Sequence, residues 1–108
     1  MSLKTATKDN PSSDIGNRVL FENELVRVWE LAVDPGKNKG WHRHDLPYVI
    51  VPITDGKIEI ESSDGRVIRP LDKAGQAIWR DPGETHDLRN LGDAVYRNVL
   101  VEIKPQPR

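Results

Sequence analysis

From Arg18 onward the chain is built of short runs in which apolar and polar residues alternate or β-formers crowd together. Residues 25–33 set Leu25, Arg27 and Trp29 against Val26 and Val28, residues 48–54 are nearly all β-formers, and residues 57–61 alternate Lys, Ile, Glu, Ile, Glu. Runs at 66–71, 76–80, 86–91 and 95–103 complete the set, and a period of two is the signature of strands with one face covered. The breaks carry turn chemistry: Asp34-Pro35-Gly36, Asp55-Gly56, Asp64-Gly65, Ala74-Gly75, Asp81-Pro82-Gly83 and Gly92-Asp93. Asp-Gly between alternating runs predicts hairpins, because glycine accepts the positive φ of a primed turn. Asp81-Pro82-Gly83-Glu84 suits a type II turn, with proline fixing φ at the second position and glycine free at the third. No window shows a helical stripe, and about nine short strands at close spacing predict an all-β sandwich or barrel. Pro52 inside its run suggests a sheet edge or a bulge. Residues 1–17 are polar and aperiodic and read as a flexible N-terminal arm. Two prolines in the last four residues cannot continue a ladder. The expected organisation is an arm over 1–17, one β-barrel domain over 18–104 and a tail over 105–108.

Composition narrows the class. A length of 108 residues fits one domain with a real core. Sixteen basic residues against 17 acidic ones leave a net charge of −1, so no single-sign field exists to hold nucleic acid or an anionic membrane. The absence of cysteine removes disulfides, thiolate ligands and a cysteine nucleophile. No apolar run reaches the length of a membrane span, and the N-terminus lacks the apolar stretch of a secretion signal. A cytoplasmic protein is expected.

The chain holds three histidines. His42 and His44 are two residues apart, and on a strand such residues point to one face, so two imidazoles can grip one ion from one element. His86 begins another predicted strand after a Pro-Gly turn. If those strands are neighbours, three imidazoles converge on a site that suits iron, zinc, nickel, copper or manganese and leaves coordination positions open for water or substrate.

Around these histidines the sequence resembles the cupins, small double-stranded β-helix (jelly-roll) barrels. The first cupin motif reads Gly36-Lys-Asn-Lys-Gly-Trp41-His42-Arg-His44, continues through Tyr48 and Val49, and closes on Gly56; the second runs from Gly75 through Asp81-Pro82-Gly83 to His86 and Asn90. The resemblance spans about Leu20 to Ile103. More narrowly, Gly-Trp-His-Arg-His followed by Tyr-Val-Ile-Val-Pro-Ile-Thr-Asp-Gly is similar to short bacterial cupins named for β-alanine degradation. Two positions depart from the pattern. The metal-binding glutamate is absent, with Val49 in its place counting back from Gly56 and Tyr48 counting forward from His44; and Asp81 replaces a proline displaced to Pro82. The first departure predicts a neutral site of His42, His44 and His86. The resemblance implies that three-histidine sites of this kind occur in cupin-like dioxygenases.

Strand parity leaves two readings of the neighbouring cavity. If Val49 faces inward, so do Val51 and Ile53, and the pocket is apolar; this register is preferred. If Tyr48 faces inward, its phenol becomes a ligand, proton donor or substrate hook. Leu88 and Asn90 share the face of His86. Trp41 and Trp79 flank the histidines and could shape a small-molecule pocket or simply pack in a core or dimer interface. Arg80, Arg43 or Arg97 could clamp a substrate carboxylate, and Glu84 or Asp45 could accept an imidazole N–H. The expected function is a metal-dependent enzyme acting on a small organic molecule. Its chemistry would be dioxygenase-like with Fe(II), the favoured cofactor, or Lewis-acid with zinc, nickel or manganese; Tyr48 and Arg80 are the catalytic candidates. The alternative is a non-catalytic small-molecule or metal-binding module. A homodimer is also expected: cupins often pair through their sheets, and strands such as 95–103 are apolar on both faces, which calls for a second cover.

Overall fold

The structure, a computed structural model, describes residues 5–107. Ten strands succeed one another: β1 (Arg18–Glu22), β2 (Val26–Val33), β3 (His42–Arg43), β4 (Tyr48–Pro52), β5 (Gly56–Ser62), β6 (Val67–Ile68), β7 (Leu71–Asp72), β8 (Ile78–Arg80), β9 (Thr85–Asn90) and β10 (Tyr96–Ile103). They form two five-stranded sheets: β1-β2-β10-β4-β8, and β3-β9-β5-β6 with β7 also paired to β5. Every pairing between these strands is antiparallel, and no helix occurs among the described residues. The inner faces enclose Trp29, Leu31 and Val33 of β2, Ile58 and Ile60 of β5, Leu88 of β9, and Tyr96 and Leu100 of β10. These residues alternate with half-buried or exposed neighbours along their strands, as one-sided burial requires.

The turns divide by mechanism. Gly65 has φ 93° and Gly83 φ 107°, so Asp64-Gly65 joins the paired strands β5 and β6, and Pro82-Gly83 turns as its residues predict. Asp55-Gly56 does not make a hairpin, because β4 and β5 lie in different sheets and Gly56 is not among the positive-φ glycines. Gly56 is needed for space instead: a Cβ there would overlap the Tyr96 ring. Pro52 is likewise not at a sheet edge, since β4 lies between β10 and β8. It ends its strand beyond the last β8 pairing at Ile50–Ile78, where no further donor is asked of it.

The expected flexible arm differs most. Residues 1–4 lie outside the described residues, but the second half of the segment belongs to the barrel. Ser12 bridges to His42, its N–H donates to the Trp41 carbonyl (3.0 Å), and its own carbonyl accepts from the Arg43 N–H (2.9 Å). Ile15 is 1% exposed, and Gly16 packs so closely on Trp29 that a Cβ would lie 2.7 Å from the tryptophan's own. Burying Ile15 is worth about 2 kcal/mol by itself, which holds the segment in place. At the other end, residues 105–107 carry no strand.

Candidate metal centre

Two neighbouring strands bring the histidines together. In the β3–β9 pair His42 stands opposite His86, and His44 follows just beyond β3, its N–H donating to the Glu84 carbonyl (3.0 Å). All three rings are buried, at 3%, 2% and 6% exposure, and their centroids are 4.7–4.9 Å apart. One ring nitrogen from each lies within 4.8 Å of the others, and among the described residues this is the cluster able to hold a metal ion.

The surroundings fix which nitrogens face inward. His42 Nδ1 lies 2.7 Å from the Gly40 carbonyl, an acceptor, so Nδ1 carries the proton and the Nε2 lone pair is free. His86 Nδ1 lies 3.0 Å from the Glu84 carboxylate, with the same consequence, and Glu84 is itself held by the Ser62 hydroxyl (2.7 Å). Glu84 therefore takes the supporting role considered for it, whereas Asp45 pairs with Arg43 (2.9 Å). His44 Nε2 and His86 Nε2 approach to 3.0 Å, and His44 Nδ1 is buried without a partner. Ring nitrogens of three imidazoles gathered within 4.8 Å, with carbonyl and carboxylate anchors behind two of the rings, are what a divalent cation requires. Burial, and next the nearby His86, draw the His42 pKa down to about 3. Burial, then His42 and His86, bring that of His44 down to about 2. Burial also lowers His86 against the pull of Glu84. Neutral rings offer ligands with no proton to displace.

The neighbouring strand corrects the preferred cavity register. Leu100 faces the interior and pairs with Ile50, while Glu102 pairs with Tyr48. Directly paired residues share a face, so Tyr48 and Ile50 point inward, and Val49 and Val51 point to the outer side. Tyr48 is 2% exposed and stacks on His44 with centroids 3.9 Å apart and planes 11° from parallel; burial raises its pKa, keeping the phenol protonated. Trp79 is 56% exposed and shares the outer face with Val49. Trp41 is half-buried beneath the N-terminal segment, with Lys8 Nζ 5.5 Å from its ring centroid. Trp41, Val49, Val51 and Trp79 thus leave the list of cavity residues, while Leu88, Tyr48 and Arg80 line the cavity. Asn90 is structural: its amide donates to the Val33 and Ala94 carbonyls (2.9 and 2.8 Å) and its oxygen accepts from the Gly92 N–H (2.8 Å).

The cavity runs from the histidines between apolar walls that include Leu88, Ile60, Ile50 and Leu100. Its polar far end was not anticipated. There the Tyr96 hydroxyl donates to Asp72 (2.6 Å), the Asn98 amide donates to the Tyr96 oxygen (3.0 Å), and Asn98 Oδ1 is buried without a partner. Alternation along β10 holds the signal, since Tyr96, Asn98 and Leu100 fall on one face. Ile15, also lining the cavity, is marked in the sequence only as an isolated apolar residue in a polar stretch. The cavity measures about 30 Å³, room for about two waters.

This geometry has counterparts in known proteins. No protein-family model matches the chain. It is 40% identical over 86 residues to the β-alanine degradation protein BauB of Pseudomonas aeruginosa, an alignment covering 80% of this chain and 90% of BauB. A cupin domain from Bordetella pertussis superimposes with a TM-score of 0.77 at 33% identity, covering 96% of this chain and all of that one. An RmlC-like cupin with a double-stranded β-helix fold from Methanocaldococcus jannaschii aligns with a TM-score of 0.66 over 80% of this chain and 76% of its own; at 14% identity it speaks for the fold alone. The chain belongs to the cupins, as a small single-barrel member similar to BauB.

Proposed function

We propose that this cupin binds one divalent metal through His42, His44 and His86 and acts as a metal-dependent enzyme on a small organic substrate, with dioxygenase-like chemistry on Fe(II) as the favoured form. The observation that carries the reading is the buried, neutral triad at the head of a cavity, since a purely structural site would use four ligands and leave no room beside them. Bound iron would supply redox chemistry with dioxygen, and bound zinc, nickel or manganese Lewis acidity. The protein's own contribution is positional. Tyr48 stacks on His44 and places a protonated phenol in the cavity, where it can hold or give a proton; Leu88, Ile50 and Leu100 keep water out. Metal analysis of protein purified without added metal tests the reading, with oxygen uptake screened against small acids, amines and diketones. Iron near one per chain with oxygen uptake supports it, and zinc or nickel shifts it to Lewis-acid chemistry. Failure to load any of these ions defeats it and favours the second reading, a non-catalytic small-molecule module, for which the small cavity is the specific support.

The protein is further proposed to be a homodimer. Phe21, Val28, Val101, Val49 and Trp79 form one unbroken apolar row across all five strands of the β1–β8 sheet, on its outer side, with Val99, Val51, Val26 and Ile103 beside it. Five strands about 4.8 Å apart, of five, eight, eight, five and three residues, cover roughly 470 Å² at about 3.4 Å per residue, so two such faces make a small interface of the weak, transient class. Light scattering is expected to give about twice the 12.2 kDa chain mass, and Val101→Asp to return it to the monomer value with metal content unchanged. A wild-type mass of one chain at micromolar concentration contradicts the dimer.

A further inference from the structure

We infer that Arg80 is an anion-binding residue of the metal cavity, and that the ligand taken there is a small carboxylate. The inference rests on the metal-site reading above and narrows its substrate class. Register puts Arg80 in place: it stands opposite Tyr48 in the β4–β8 pair, and Tyr48 faces inward, so Arg80 shares the cavity face while its neighbour Trp79 takes the outer one. Arg18, Arg27, Arg43, Arg66, Arg69 and Arg97 all pair with carboxylates. Arg80 is half-buried and has no ion-pair or side-chain hydrogen-bond partner among the described residues, although it lines a cavity with largely apolar walls. A guanidinium kept partly from water without a partner costs stability. Such a cost is retained where a ligand supplies the missing charge.

Charges of both signs surround the triad, with Glu84 and Asp87 acting on His86 as nearby negative charges. Lys39, also half-buried and without an ion-pair partner among the described residues, acts on His42 and His44 as a nearby positive charge. Arg80 acts in the same way on His86 and Tyr48. The carboxylate nearest the triad, Glu84, is occupied by His86 and Ser62. A planar carboxylate fits the fork of Arg80 through two parallel N–H···O bonds. The cavity volume limits the rest of the molecule to a few heavy atoms.

The test uses zinc-loaded full-length protein, which is diamagnetic, and follows amide NMR shifts of β8 and β9 during titration with propanoate and, separately, with uncharged propanamide. Zinc content is measured in every sample. Propanoate is expected to bind and propanamide to bind at least about ten-fold more weakly. Arg80→Gln should lose about ten-fold or more in propanoate affinity at unchanged zinc content, and Arg80→Lys should recover part of it, since lysine keeps the charge and loses the fork. Equal binding of acid and amide, no binding of either, or wild-type propanoate affinity in Arg80→Gln overturns the inference. A wild-type protein that takes up none of zinc, iron, nickel or manganese defeats the metal reading instead; the same titration on metal-free protein then decides Arg80 by the same criteria.

Discussion

Alanine at any one of His42, His44 or His86 is expected to strip most of the metal from the protein near neutral pH. Three neutral ligands leave no redundancy: no carboxylate joins the cluster among the described residues, and two nitrogens form a weak chelate compared with three. The loss should exceed that from the supporting shell. Glu84→Gln keeps an acceptor for the His86 N–H but removes its charge, and such second-layer changes cost about 10–100-fold in affinity. Elemental analysis of the four variants after identical loading, with circular dichroism to confirm the fold, makes the comparison. A fully loaded His86→Ala protein would place the ion elsewhere. Equal losses in Glu84→Gln and His86→Ala would mean that the carboxylate, not the imidazole, sets the affinity.

The metal-free protein is expected to lose stability steadily as pH falls below about 6.5, the ordinary histidine value. All three imidazoles have lowered pKa values in the folded state, His42 near 3 and His44 near 2. Below 6.5 the unfolded chain therefore binds protons that the folded one refuses. The unfolded state binding more protons means stability rises with pH through this window and is lost on acidification. Each strongly shifted histidine contributes up to about 1.4 kcal/mol per pH unit, so His42 and His44 together approach about 3 kcal/mol per unit, and His86 adds to this in the same direction. That is a large part of the 5–15 kcal/mol that ordinarily holds a domain together. Glu84 acts in the same sense: its lowered pKa stabilises the fold above the usual carboxylate range and ceases to do so as pH falls through the lowered value. Urea midpoints at pH 7.5, 6.5 and 5.5 should fall across the series, and bound metal should raise all of them. A flat midpoint between pH 7 and 5 would show that the folded protein protonates these rings as readily as the unfolded chain does.

The sequence by itself determined the class of fold, because its period of two, its punctuation by Asp-Gly and Pro-Gly, and the absence of a helical stripe are local properties of the backbone. It also determined the pairing of His42 with His44 and the turn at Pro82-Gly83, since the positive φ of Gly83 and the i, i+2 placement of the two histidines depend on a few adjacent residues, whereas His86 joins them only through the β3–β9 pairing. What faces the metal was decided only by tertiary structure. Tyr48 and Val49 are both β-formers at the start of one strand, and a slip of one residue exchanges the faces of every side chain along it. The choice is made by β10, where Leu100 must be buried and carries Ile50, and with it Tyr48, to the inside. The same pairing sends Val49 and Trp79 to the outer apolar row and brings Arg80 within the cavity. Gly56 and Ile15 belong to this second kind. One yields space to a ring from β10 and the other fills the barrel from a polar segment, and both answer to partners distant in the chain.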